Sequence, residues 1–202
     1  MNIIIRNSDN VAVFSGLDIS LDSFGCHGDG WSFAGLNNTT ATLILNVTLP
    51  SPWVPSAYTY SNGSFAVFDQ TAVNAANAAI AAAQAQKTIA TAQSNFQSLI
   101  AAGIILTSTG TPALNATYST TDTAQKNISG VVTGIATGLG LPGGGTTFQY
   151  LDASNVPHSF DASHFTAFAA ALRNFVYNCE ITLATIQNGG TATFPSNLVT
   201  IA

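Results

Sequence analysis

The stretch TTFQYLDASNVPHSFDASHF, residues 146–165, gathers two histidines and two aspartates in a chain that is otherwise almost free of charge. Two readings compete: a metal or catalytic site, or a turn and a helix cap built from the same residue types. The alternation decides it. Phe148 and Tyr150 fall on one side of a strand, and Val156, His158 and Phe160 do the same on the next. Asp152-Ala153-Ser154-Asn155 between them is a polar loop of ordinary hairpin length. Pro157 has no N–H to give and belongs at an outward-facing position of an edge strand. Asp161-Ala162-Ser163 then opens a helix, with the carboxylate accepting free N–H groups of its first turn. Phe165, Phe168, Leu172, Val176, Cys179, Leu183 and Ile186 recur every three or four residues and form its buried stripe. A metal would need His158, His164 and an aspartate to converge, and their spacing across a strand-to-helix corner fits no ligand motif. The stretch reads as architecture.

Upstream, Asp122 followed by Gln125 resembles a capping box. It opens a helix whose apolar face runs through Ile128, Val131, Val132, Ile135 and Leu139. The loop GLGLPGGGT closes that helix; because it follows a helix and precedes a strand, it has the wrong order for a phosphate cradle. Residues 71–102 contain neither Gly nor Pro and are rich in Ala and Gln, which makes a long helix by propensity alone. Its large apolar residues are few, among them Val73, Ile80, Ile89 and Phe96. The Ala between them would let another helix approach closely, so these four are candidate packing or oligomer contacts. Gly103 ends the helix.

Residues 1–68 read as β structure. Asn7-Ser8-Asp9-Asn10 separates two apolar runs as a hairpin turn would. ATLILNVTL alternates at Leu43, Leu45, Val47 and Leu49. Asn62-Gly63 between apolar flanks is the strongest short hairpin signal. In GCHGDGW, 25–31, Cys26 beside His27 has the residue types of a thiol–base pair, but neighbours in a strand point to opposite faces and no third group orients them. The glycines suggest a tight irregular loop presenting Trp31. Trp31, and Trp53 between its prolines, are candidate contacts for a sugar ring or a partner.

The fold class is therefore α+β: a small N-terminal antiparallel β module (1–68), a long Ala-rich connecting helix (69–106) and a C-terminal helix–β-hairpin–helix domain (107–202). Within the last, the helices fall at about 122–139 and 162–188 and the hairpin at 147–160.

Composition narrows the function. Charged residues are 6% of the chain, against about a quarter in ordinary domains. Four cations cannot neutralise a nucleic-acid backbone. No apolar run is long enough to span a bilayer, and the N-terminus lacks a signal-peptide core, so the chain is expected to be soluble and made in the cytoplasm. Cys26 and Cys179 read as two reduced thiols. No nucleophile elbow, zinc-protease motif or glutamate pair is present, and Glu180 is the single Glu. No cofactor is expected, and the chain reads as a non-enzyme.

The helix opened by YSTTDTAQKNISGVV, the Gly-rich loop and FQYLDASNVPHSFDASHFTAFAAALRNFVYNCE together resemble an uncharacterised domain common near the C-terminus of tailed-phage tail proteins. IIRNSDNVAVFSG, GCHGDGW and SAYTYSNGSFAV resemble opening modules of small tail-fibre or baseplate-associated proteins. The resemblance covers 3–68 and 115–188 and carries no catalytic signature. It implies a virion tail component (tail fibre, baseplate or tail tip) made in the host cytoplasm, with copies of itself, as a trimer, and other tail proteins as partners. Alternatives are a fibre-assembly chaperone and a module that binds a host receptor or surface glycan.

Overall fold

The computed structural model describes residues 1–202, which form two compact units, 1–84 and 85–202. In the first unit, β1 (Asn2–Arg6) lies between β2 (Ala12–Gly16) and β6 (Ala41–Ile44) in an antiparallel sheet; β3 (Ser20–Leu21), β4 (Cys26–Gly28) and β5 (Trp31–Phe33) form a second, antiparallel sheet. The hairpin of β7 (Tyr58–Ser61) and β8 (Ser64–Val67) completes the unit. The polar cluster expected at 7–10 is the β1–β2 turn, where the Arg6 guanidinium clasps the Asp9 carboxylate. Asn62 takes φ 50° in the β7–β8 turn, as the Asn-Gly signal requires. Ile3 and Ile4 are fully buried on opposite faces of β1, one in each of two small cores.

Two expectations for this unit are corrected. The strand read through Leu49 stops at Ile44, because Asn46 adopts φ 56° with its N–H turned to the Asn2 side chain. Leu45 is exposed, whereas Val47 and Leu49 still pack on the core from irregular backbone. The Gly-rich stretch 25–31 is not an irregular loop. It forms the β4–β5 hairpin, with Gly28 paired to Trp31.

A single helix, α1 (Gln70–Ala102), supplies its first part to one unit and its second to the other. Asp69 caps its start by accepting the Ala72 N–H at 3.0 Å. Gly103, at φ 74°, ends it.

The second unit corrects the assignment of 104–106 to the connecting helix. β9 (Ile104–Ser108) is a central strand, antiparallel to β10 (Ala116–Tyr118) and parallel to β13 (Leu198–Ile201). The C-terminal domain thus contains a three-stranded sheet beside the expected helix–hairpin–helix. Between β9 and β10, Pro112–Leu114 makes one turn of 3-10 helix. Helix α2 (Asp122–Ala136) is capped one residue earlier than the sequence suggests: the Thr121 hydroxyl accepts the Ala124 N–H, while Gln125 donates to the Thr120 carbonyl. It also ends before Leu139, which is 83% exposed and not part of the apolar face. The hairpin pairs β11 (Thr147–Leu151) with β12 (Pro157–Asp161), and α3 (Ala162–Gln187) follows directly. Val156 lies in the hairpin loop rather than in the strand.

The core of this unit is aromatic. Tyr118, Phe160, Phe165 and Phe168 are fully buried, with ring centroids 4.8 to 5.8 Å apart for the pairs in contact. Ile104 and Leu106 of β9 and Leu172, Val176 and Cys179 of α3 extend it. Tilted and edge-to-face rings at these distances add to the burial of their area. Of the predicted stripe on α3, Leu183 and Ile186 are only half-buried, the last buried residue of the helix being Thr182.

Candidate functional site

The corner that decides the fold also holds the densest polar network. Asp152 starts the hairpin loop as an Asx turn: its Oδ1 accepts the N–H groups of Ser154 and Val156, both at 2.8 Å. His158, on β12, donates Nδ1–H to the Ala113 carbonyl at 2.7 Å, and its Nε2 faces Asp152 Oδ2 at 3.3 Å. At the next corner Asp161 caps α3 through the His164 N–H at 2.8 Å, and its Oδ2 holds His164 Nδ1 at 2.8 Å. In the neutral ring this leaves His164 Nε2 as the acceptor for the Thr111 hydroxyl, 3.2 Å away. Two histidines, each held by its own aspartate, thus grip the Thr111–Ala113 turn. Backbone N–H groups, with the imidazoles second, hold both Asp152 and Asp161 below the usual carboxylate range.

The two pairs do not merge. No three His, Cys, Asp or Glu side chains converge in a metal-holding group. Thr111, His164 and Asp161 follow the hydroxyl–imidazole–carboxylate order of an acyl-transfer triad. None of the three lines the groove between α2 and α3, and Asp161 is already engaged as a helix cap. Together the three side chains link the turn after β9 to the start of α3.

In the first unit, His27 Nε2 lies 3.1 Å from Asp22 and Cys26 Sγ lies 3.3 Å from the Leu36 carbonyl, so the adjacent thiol and imidazole face apart. Both cysteines are free and buried, and burial raises both thiols. Trp31 is 38% exposed and packs at 5.0 Å from Phe14, which also meets half-exposed Phe33. A side chain at Gly28 would collide with the Trp31 indole, so that glycine lets the ring lie on the backbone. Trp53 is placed differently: it stacks on Tyr58 at 5.9 Å and meets Phe65 edge-on, as a packing residue.

The four candidate helix contacts separate as well. Val73 is buried in the first unit's own core and Phe96 packs on the second unit's core. Ile80 is 56% exposed and Ile89 half-buried.

Sequence reasoning missed the groove between α2 and α3, about 700 Å³ in volume. Its lining includes Lys126 and Arg173, two of the four cations in the chain. Their scarcity was the available signal, but nothing in the sequence placed them in one groove.

Fold and site together define an α+β domain in which a hairpin and two helices close over an aromatic core and the histidines serve the corners. That domain has a family: residues 82–188 match Domain of unknown function (DUF4376), more than half of the chain, and the chain belongs to this family. No curated protein and no solved structure matches it.

Proposed function

We propose that the chain is a structural component of a tailed-phage tail (a fibre, baseplate or tail-tip protein) that acts by assembly as a homotrimer, without catalysis. One observation carries this reading. Residues 77–88 of α1, NAAIAAAQAQKT, are exposed without a break over more than three helical turns. Helices of such length gain most of their stability from packing an apolar face, and an Ala-rich surface with Ile80 outward suits close approach by copies of itself. The resemblance of both ends to tail proteins and the charge-poor surface support the same reading. Purified virions analysed by mass spectrometry should contain the chain in stoichiometric amounts. Presence in infected cells but not in particles would instead support an assembly chaperone.

A second reading rests on Trp31. A part-exposed indole, lying on Gly28 and packed on Phe14, which in turn meets Phe33, suits the apolar face of a sugar ring. Trp31→Ala should then abolish host adsorption while the chain still folds. Unchanged adsorption removes this reading and leaves the first intact.

A further inference from the structure

The groove between α2 and α3 gathers three of the thirteen Lys, Arg, Asp and Glu side chains of a charge-poor chain. Elsewhere four pairs of side chains are engaged within the chain: Arg6 with Asp9, Asp22 with His27, Asp152 with His158, Asp161 with His164. Lys126, Arg173 and Glu180 line the groove, and none of them makes an ion pair or a side-chain hydrogen bond. The floor is apolar, formed by Ile128, Val132, Leu172 and Val176. Ser129 and Thr133 on one wall and Ala169 and Ala170 on the other are small. Exposed Tyr177, 59% accessible, stands at the rim.

A long valley between two helices, walled by small residues, is the shape a third helix fills. The charges say what that helix carries. The two cations come from separate helices and line one groove, where they outnumber Glu180, so an occupant with carboxylates is favoured. Glu180 lies two turns along α3 from Arg173, roughly 10 Å, and does not pair with it. We infer that the α2–α3 groove docks an amphipathic helix from another protein, apolar on its inward face and bearing acidic side chains that reach Lys126 and Arg173. The site lies wholly within the DUF4376 match and does not depend on whether the chain stays in a particle.

The test uses the full chain and two synthetic amphipathic helical peptides with one Leu–Ala inward face, flanked by Glu in one and by Lys in the other. Affinity is measured by calorimetry at low and at high salt. The Glu peptide should bind, more weakly as salt rises, and the Lys peptide should bind at least roughly tenfold less well. The double variant Lys126→Glu/Arg173→Glu, at exposed positions, should reverse that preference, and Ala170→Trp should block both peptides by filling the groove. Circular dichroism and melting of each variant establish that it is folded. Equal binding of the two peptides, binding of neither, or preference unchanged by the charge reversal each overturns the inference. So does self-association of the wild-type chain that the charge reversal abolishes, because the occupant would then be a second copy.

Discussion

The Thr111 hydroxyl lies 3.2 Å from Nε2 of His164, joining residues 53 apart in the chain. Through it the turn after β9 is fixed to the first turn of α3, and Asp161 behind His164 completes the link. If this is a structural clamp, Thr111→Val should cost about 1 kcal/mol in urea unfolding. Hydrolysis of p-nitrophenyl acetate should be the same for wild type and variant. A rate that falls sharply with Thr111→Val, at unchanged folding, would show that the hydroxyl attacks a carbonyl instead.

Asp161 is also the N-cap of α3. Asp161→Ala should destabilise the chain by about 1 kcal/mol, and Asp161→Asn, which keeps an accepting oxygen, should cost much less. Equal losses in the two variants would mean that charge, not capping, is what matters here.

That cap was legible in the sequence because it is local: the aspartate and the N–H it accepts are three residues apart. The apolar stripe of α3 and the Asn62-Gly63 turn were legible for the same reason. What the sequence hid was long-range. β13 pairs in parallel with β9 across most of the second unit, and neither strand has turn chemistry that announces such a partner. β9 was further disguised because Ile104, Ile105 and Leu106 continue the apolar run of α1, although Gly103 marked the break. The sequence placed Asp152 in the hairpin loop and Asp161 at the helix cap, but it paired neither with a histidine. The other partners of His158 and His164, Ala113 and Thr111, lie 45 and 53 residues away from them and emerged only with the fold.

Acid should unfold the protein through its aspartates. Asp9 is lowered chiefly by the Arg6 side chain, Asp22 by the Phe24 N–H, Asp152 by the Val156 N–H and Asp161 by the His164 N–H. Each has a folded-state pKa below the ordinary 3.8, so its contribution is complete above that value and is lost as pH falls through the folded-state value. The urea midpoint should therefore depend little on these four groups above about pH 5 and drop steeply below about pH 4. A midpoint that stays level down to pH 2 would contradict these shifts.

Phe165 and Leu139 offer a contrast in burial. Phe165 is fully buried against Phe148, Tyr150, Phe160 and Phe168, whereas Leu139 is 83% exposed. Phe165→Ala should cost about 3–5 kcal/mol, and Leu139→Ala should stay within about 0.5 kcal/mol. Similar losses at the two positions would place Leu139 in a contact that the fold described here does not provide.

Gly103 gives the sharpest backbone test. Its φ of 74° lies in the left-handed region, and a Cβ there would meet the Tyr118 carbonyl oxygen. Alanine therefore faces two penalties, the conformational one and a collision with backbone that cannot rotate away. Gly103→Ala should destabilise by more than about 1 kcal/mol. Gly138→Ala, also at positive φ but with open space around it, should cost only the conformational part. Because Gly103 joins α1 to β9 beside Tyr118, the damage should reach the aromatic core and appear in the near-ultraviolet circular dichroism of the tyrosines. A Gly103→Ala chain as stable as Gly138→Ala would mean that the α1–β9 junction is not held against β10 as described.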